Sequence, residues 1–326
     1  MNNIDYSVVI RTTGKAKEKY KKLLQSISEL EPLPKQVIVV LPKGYDLPEE
    51  QLGWETYYYS EKGMVTQRLK GIEKCTTKYA LVCDDDISFP NDFVAKLHQP
   101  IEEDISELSA GPLYSFLPQK GMAAFLCMIM ATAMPTVFHK DRYVSILKSS
   151  GYSYNRHLVL KKDPYYETLS AAWTCFYGRI DSIKDIHLEE EKWLDMHGYS
   201  AFDDQTMFYK GYLKGIRTVI VADALYEHLD AGTSRKGNNT AVTYSKIFNR
   251  IVFWDRFIYS RQNTLLSKAI SKVCLNYLFF MDKLLETVKS FGKQSSKEQI
   301  RIKQQAKKDA YHYLSSQDYK QLSVIG

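Results

Sequence analysis

The chain has 326 residues, which is enough for one large α/β domain with an appendage. Its hydrophobic content of 44% and charged content of 25% are typical of a globular protein and exclude a disordered or fibrous chain. The formal net charge of +6 is uneven, because residues 250–326 hold 14 Lys/Arg and 6 Asp/Glu, which leaves −2 for the rest. This basic part suits an anionic membrane surface or an acidic partner. It carries no nucleic-acid-binding motif, so we expect no nucleic-acid partner.

The cysteines and the N-terminus indicate a cellular compartment. Five cysteines are scattered along the chain without metal-site spacing, so we expect reduced, mostly buried thiols of a cytosolic protein. Residues 1–5 lack the basic and apolar regions of a signal peptide. We therefore expect a cytoplasmic protein that can associate peripherally with the inner face of the cell membrane.

The first hundred residues alternate apolar runs with helical patterns. We predict strands over 6–10, 36–41 and 54–59 and helices over 15–30 and 63–74. A strand–helix–strand opening implies a parallel sheet with right-handed crossovers. The predicted fold class is therefore α/β, a doubly wound and mostly parallel sheet.

Three consecutive aspartates end the next apolar run, which covers residues 79–83. Asp84, Asp85 and Asp86 repel one another, and a divalent cation that holds a phosphorylated ligand would offset that repulsion. Alternation along an extended chain puts Asp84 and Asp86 on one face and Asp85 on the other. The alternative is a solvated acidic turn.

The middle of the chain returns to the sheet after an apolar segment. Residues 121–138 are nearly all apolar, but Pro135 and the short length favour a buried or interfacial helix over a membrane span. A strand is predicted within 168–179, a helix begins at Asp203, and another strand covers 218–221.

The C-terminal part is predicted to be helical. Between Leu266 and Phe291, apolar residues step by three or four, and lysines lie off that stripe. The helix would dock on the domain, dock on a second subunit in a homo-oligomer, or bind a membrane surface. Residues 292–308 are polar and basic, as in a linker or an exposed helix.

The polar features occur in a recognisable order. Thr12 follows the first strand, the aspartate triplet follows a later strand, Asp203 and Asp204 begin a helix, and His228 follows the next strand. In this order and spacing, residues 5–235 resemble the family 2 glycosyltransferases of the GT-A fold, of the bacterial polysaccharide type. The resemblance implies a GT-A catalytic domain over 1–235, with a nucleotide-sugar half (1–100) and an acceptor half (101–235). Residues 236–326 would form a helical C-terminal extension.

The resemblance also implies roles for the donor-side residues. Thr12 would line the nucleotide pocket, and Arg68, within the segment Gln67-Arg68-Leu69-Lys70-Gly71-Ile72, would lie near the nucleotide. Asp84 and Asp85 would bind the nucleotide sugar. Many members place an acidic residue directly after the second strand, whereas here Asp46 is the nearest candidate.

The remaining candidate residues are assigned as metal ligands and as the catalytic general base. The resemblance makes Asp86 and His228 metal ligands, and oxygen ligands with a histidine suit Mn²⁺ or Mg²⁺. An acceptor hydroxyl must lose its proton as it attacks, so a carboxylate is needed as general base. We assign Asp204 to that role, with Asp203 as second choice. The alternatives are helix N-capping for the acidic pair and an ordinary core or loop position for His228.

These features predict an inverting, metal-dependent glycosyltransferase of the hexosyltransferase type. Its donor would be a UDP-sugar, and its acceptor a glycan or a lipid-linked glycan of a surface polysaccharide. Two alternatives stay open at this point. A two-metal nucleotidyl or phosphoryl transferase also needs clustered aspartates, and a non-catalytic polysaccharide-assembly scaffold would keep the fold without the chemistry.

Overall fold

The structure is a computed structural model that describes residues 4–113, 142–154, 163–229, 240–289 and 294–325. The helix predicted over 121–138 lies outside the described residues. Residues 114–141, 155–162 and 230–239, which include much of the predicted acceptor half, also lie outside them.

The opening of the chain forms the predicted strand–helix–strand unit. Strand β1 (Tyr6–Arg11) pairs in parallel with β2 (Gln36–Pro42), and helix α1 (Glu18–Ser28) connects them. The helix buries one apolar face made of Tyr20, Leu23, Leu24 and Ile27, which matches its helical spacing. The prediction for this region is confirmed.

The remaining strands and helices follow in chain order. The strands are β3 (Thr56–Ser60), β4 (Tyr79–Asp84), β5 (Ile87–Ser88), β6 (Leu108–Ala110), β7 (Ser145–Ile146), β8 (Ser153–Tyr154), β9 (Tyr165–Glu167), β10 (Cys175–Arg179), β11 (Thr218–Val221) and β12 (Glu227–His228). The helices are α2 (Met64–Glu73), α3 (Phe93–Glu102), α4 (Ile180–Asp185), α5 (Asp203–Leu213), α6 (Thr240–Trp254), α7 (Leu265–Lys289), α8 (Gln294–Leu314) and α9 (Gln317–Lys320). Two short 3₁₀ turns (Leu188–Glu190 and Lys192–Leu194) precede α5, and a π-helical turn (Asp255–Tyr259) follows α6.

Eight strands form one mixed sheet in the order β3-β2-β1-β4-β10-β6-β11-β9. The first four strands are parallel, whereas β10 is antiparallel to both β4 and β6. Since parallel strands point their carboxyl ends to the same edge, the polar residues that follow β1 and β4 meet at one crevice. The predicted α/β class is confirmed, with two antiparallel strands added.

A second, two-stranded sheet closes that crevice. Strand β5 follows the aspartate triplet directly, and it pairs antiparallel with β12, so that His228 lies opposite Ile87. The backbone N–H of Leu229 donates to the carbonyl of Asp86 over 2.7 Å. This pairing brings the histidine motif to the aspartates, although His228 lies 142 positions after Asp86 in the sequence.

The C-terminal helices pack on the preceding α/β part of the chain. Helix α6 buries Phe248 and Phe253 in the same apolar core as Phe208 of α5 and Trp193. Between residues 292 and 308, the chain forms most of α8, so the helix alternative for this stretch is confirmed. The division of the chain at residue 235 stays a prediction, since the core continues across it.

A buried ion cluster joins α5 to the chain's last residues. Glu191, which is 1% exposed, accepts from Lys210 of α5 over 2.7 Å and from Arg256 over 2.6 and 2.8 Å. Arg256 also donates to the carbonyl of Ser323 over 3.1 Å. Both cations are thereby paired with a buried carboxylate, which is the condition under which such charges are tolerated.

A search of the described residues for a membrane-spanning helix found none that combines the required length and apolarity.

Candidate active site

Asp84 is held by two arginines at the end of β4. Arg11 donates from Nε to Oδ1 over 3.0 Å and pairs through Nη2 with Oδ2 at 2.9 Å, while Arg68 Nη2 donates to Oδ1 over 2.7 Å. Burial alone would raise the pKa of Asp84, but the two guanidinium groups outweigh it and hold that pKa below its usual value. Asp84 is therefore a fixed carboxylate at the floor of the crevice.

Arg68 joins the two acidic motifs. Its second nitrogen, Nη1, donates to Oδ2 of Asp203 over 3.0 Å, so one guanidinium binds Asp84 and Asp203 together. The guanidinium also lies 4.6 Å from the ring centroid of Trp173, and Arg68 is 1% exposed. Strand β4 and helix α5 thus meet at a single buried cation.

Asp203 and Asp204 begin α5 at a sharp turn. The preceding residue, Phe202, has a left-handed backbone with φ of 70°, an uncommon conformation for an aromatic residue. Asp204 donates its backbone N–H to Oδ1 of Asp203 over 2.9 Å, and Gln205 donates its own to Oδ1 of Asp204 over 2.7 Å. The acidic pair therefore lies in the first turn of α5, where negative charge favours the helix, but the N-cap is Phe202 and no side chain caps the helix, so the capping alternative is wrong.

Burial and mutual repulsion perturb this pair. Burial raises the pKa of Asp204 to about 7, and the neighbouring charge of Asp203 adds to the rise. Burial also raises the pKa of Asp203, although the Arg68 charge opposes that rise. A carboxyl that titrates near neutral pH can take a proton from a hydroxyl more effectively than an ordinary aspartate can.

Asp85, in the turn that follows β4, is bound by Thr12. Thr12 Oγ1 donates to Asp85 Oδ2 over 2.6 Å and accepts the backbone N–H of Gly14 over 2.9 Å. Burial raises the pKa of Asp85 to about 6, against the lowering effect of the Thr12 hydrogen bond. At Gly14, φ is +72° and an added Cβ would lie 2.7 Å from the carbonyl oxygen of Asp46, so the loops after β1 and β2 touch there.

Asp86 and His228 form a second, more open pair. Asp86 Oδ1 lies 3.4 Å from His228 Nε2, and the two side chains keep 19% and 12% of their exposure. The described part of the chain contains no group of three or more His, Cys, Asp or Glu side chains arranged to hold a metal. A carboxylate and an imidazole fit Mn²⁺ or Mg²⁺ as two protein ligands, with phosphate oxygens and water completing the shell.

The structure brings the predicted residues into three groups, which the consecutive aspartates Asp84, Asp85 and Asp86 connect. Arg68 connects Asp84 to Asp203, Thr12 binds Asp85, and Asp86 lies beside His228. The proximity of the two acidic motifs agrees with the sequence argument. The individual roles stay predictions.

Several contributing residues were not predicted from the sequence. Arg11, at the end of β1, binds Asp84, and Trp173 lies over Arg68. Asp195 accepts the Thr66 N–H over 2.9 Å and caps α2, the helix that carries Arg68. Of these residues, only Arg11 had a signal in the sequence, since it is a lone arginine at the end of an apolar strand. Trp173 and Asp195 had none, because their partners are distant in sequence.

Two lysine side chains lie together at the carboxyl ends of the first strands. Lys15 and Lys62 each place the ammonium nitrogen near the Tyr45 ring, at 5.3 and 5.9 Å from its centroid. The three loops that carry these residues follow β1, β2 and β3. Asp46, the nearest acidic residue after β2, is exposed next to Tyr45.

Comparison with known proteins shows the fold. No family model matches the sequence, and no curated protein matches it. Among solved structures, GalNAc-T7 with UDP, GalNAc and Mn²⁺ is similar at a TM-score of 0.53 and 14% identity, over 89% of this chain and 59% of that chain. The chain has the GT-A fold.

Two structures of S. aureus TarS 1–349 are also similar, one of them in complex with UDP-GlcNAc. Each has a TM-score of 0.49 and 13% identity over 94% of this chain, and the match covers 81% and 80% of the TarS chains. At 14% identity, the similarity to GalNAc-T7 shows the fold alone. The activity therefore has to be inferred from the site.

Proposed function

We propose that the protein is an inverting, metal-dependent glycosyltransferase of the hexosyltransferase type. One observation carries the proposal: the Arg68 guanidinium binds Asp84 and Asp203 at once, at 2.7 and 3.0 Å. This bridge supports a site in which the aspartate triplet binds the donor beside Asp204, whose pKa is raised to about 7. GalNAc-T7 shares the fold in a structure with UDP and Mn²⁺, which supports a nucleotide-sugar donor, and we propose a UDP-sugar.

Asp204 takes the acceptor proton in this mechanism. The acceptor hydroxyl oxygen forms a bond to the anomeric carbon, its proton passes to an Asp204 carboxylate oxygen, and the bond from that carbon to the diphosphate breaks. A single displacement of this kind inverts the anomeric centre. General-base assistance of this type contributes about 10²–10⁴-fold to the rate.

Arg68 acts through its carboxylate partners. Its charge is engaged by Asp84 and Asp203, so it would orient the donor-side carboxylate and hold α5 in place. Thr12, which follows β1, and Asp85, which follows β4, would face the donor. Lys15 and Lys62 are exposed cations at the same end of the sheet.

Asp86 and His228 are the residues that would hold Mn²⁺ or Mg²⁺. When bound, the cation would neutralise the charge that develops on the leaving diphosphate. Asp84 is not available for this role, because Arg11 and Arg68 engage both of its carboxylate oxygens.

The acceptor in this proposal is a glycan or a lipid-linked glycan of a bacterial surface polysaccharide. A lipid-linked acceptor would place the enzyme at the inner face of the cell membrane, as a peripheral protein. The basic charge of residues 250–326 supports this location.

Nucleotide binding and product analysis test the proposal together. We expect UDP or a UDP-sugar with Mn²⁺ to raise the thermal midpoint, because ligand at one hundred times its Kd stabilises the fold by about 2.7 kcal/mol. Turnover should release free UDP. Pyrophosphate release would instead favour the nucleotidyl transferase, and normal cellular polysaccharide with Asp204→Asn would favour the scaffold.

A further inference from the structure

Helix α7 has two apolar faces, and within the part of the chain that the structure describes only one of them is covered. Its inner face packs on the protein through Ser271, Cys274, Leu275 and Leu278, all of them buried. Its outer face consists of large apolar side chains that remain between 41% and 71% exposed: Leu266, Ile270, Val273, Phe280 and Leu284. The outer face covers about 27 Å of helix at 1.5 Å per residue. Such a continuous exposed apolar stripe marks an interaction surface.

The inner contacts hold α7 in place independently of the outer face. Trp254 donates its indole N–H to Ser271 Oγ over 3.0 Å. Near the other end, Asp282 accepts from Lys303 of α8 over 2.7 Å, and Glu286 pairs with the same lysine. The outer residues are therefore exposed on a docked helix, and they are not needed for its docking.

The charges around the outer face have one sign. The two carboxylates of α7, Asp282 and Glu286, both pair with Lys303. Lys272 and Lys283 are exposed, and helical periodicity places both along one edge of the outer face; the Lys272 ammonium also lies 5.1 Å from the Tyr259 ring centroid. The outward side of α7 thus presents apolar side chains with lysines along one edge.

We propose that the outer face of α7 binds an anionic phospholipid surface, with the helix lying in the membrane plane. Apolar side chains would enter the headgroup and acyl boundary, while Lys272 and Lys283 would meet the phosphates. A second copy packed antiparallel, face to face, would bring its own lysine edge beside the first, so like charges disfavour that arrangement. The inference names the surface behind the proposed membrane location, and it does not require the glycosyl-transfer chemistry.

Vesicle co-sedimentation tests the apolar contribution. We expect the wild-type chain to bind phosphatidylcholine vesicles that contain phosphatidylglycerol, and Val273→Ser/Phe280→Ser to lose most of that binding. Leu33→Ser, at a similarly exposed leucine remote from α7, is the matched control and should bind like the wild type. Unchanged thermal midpoints would show that all three proteins are folded, because the altered residues are exposed.

Neutralised lysines test the charge contribution. Each lysine at an anionic surface contributes about fivefold to the partition coefficient, so Lys272→Gln/Lys283→Gln should weaken binding about 25-fold. Lys21→Gln/Lys22→Gln removes the same charge from the exposed side of α1 and should bind like the wild type. Added salt should weaken the wild type and leave the α7 lysine variant little changed.

Three results would overturn the inference. The first is wild-type protein that ignores anionic vesicles, and the second is an outer-face variant that binds like the wild type. The third is a dimer in sedimentation velocity that Val273→Ser/Phe280→Ser dissociates, which would assign the face to a second copy. Asp204→Asn should bind vesicles normally, so failure of the proposed chemistry and failure of this inference are distinguishable.

Discussion

Replacing Asp204 with asparagine should make the protein more stable as it removes turnover. Burial and the Asp203 charge raise the pKa of Asp204 from 3.8 to about 7. The folded protein therefore holds the Asp204 proton more tightly than the unfolded chain does. The folded and unfolded pKa values differ by about 3 units, and each unit is worth about 1.36 kcal/mol. At a pH above both values, the ionised carboxylate therefore destabilises the fold by about 4 kcal/mol.

The stability difference between Asp204→Asn and the wild type should depend on pH. Below 3.8 the carboxyl is protonated in both states and contributes nothing. As pH rises through 3.8, the unfolded chain ionises first and wild-type stability falls, until the folded carboxyl also ionises at about 7. Asparagine does not titrate, and its side-chain oxygen can still accept the Gln205 N–H. The advantage of Asp204→Asn should grow from under about 1 kcal/mol near pH 4 to about 4 kcal/mol near pH 8.

Urea unfolding of the metal-free protein across this pH range measures the difference. Asp185→Asn, at an exposed aspartate on α4, is the matched control and should show no such growth. The same Asp204→Asn protein should bind nucleotide but turn over about 10²–10⁴-fold more slowly. A stability difference that stays constant with pH, or a variant less stable near pH 8, would refute the burial argument.

Three further outcomes follow from the site. Arg68→Lys should lower the free energy of unfolding by about 3–5 kcal/mol in urea titrations, because one ammonium cannot pair both buried carboxylates; a loss under about 1 kcal/mol would contradict the bridge. Asp86→Ala and His228→Ala should each abolish the Mn²⁺-dependent part of the thermal shift with UDP, and an undiminished shift would exclude these two as ligands. Asp203→Asn should move the acid limb of kcat to lower pH, since its charge raises the pKa of the base, whereas an unmoved limb would assign the limb to another group.

The sequence predicted the local elements of the fold because their signals are local. Strands β1, β2 and β4 are uninterrupted apolar runs, and helices α2 and α5 begin next to turn or acidic residues. The antiparallel insertion of β10 between β4 and β6 was not predictable. A short apolar run carries no information on which strands will become its neighbours or on its direction.

The carboxylates of the candidate site were predictable from the sequence, whereas the ion pairs of its arginines were not. Clusters of aspartate stand out in a sequence, whereas Arg11 and Arg68 are single arginines within ordinary elements. Arg68 was placed near the nucleotide by resemblance, yet its hydrogen bonds go to Asp84 and Asp203. The partners of a buried cation depend on tertiary packing, and here those partners come from two elements more than 100 residues apart.

Helix α7 shows the same limit. Its apolar stripe was recognised from the spacing between Leu266 and Phe291, but the described part of that stripe lies outside the protein core. The buried contacts come instead from the opposite face, which includes Cys274 and Leu278. Periodicity shows that a helix has an apolar face, but it does not show which face the protein covers.

The ion cluster around Glu191 has a practical consequence for work with this protein. Lys210 lies two helical turns along α5 from the acidic pair, and the same carboxylate reaches the segment at Ser323 through Arg256. An affinity tag or a protease cut beside Ser323 would lie next to this ion cluster. The cluster also contacts α5, the helix that carries the proposed general base. Tags attached before β1 are therefore the safer choice for kinetic measurements.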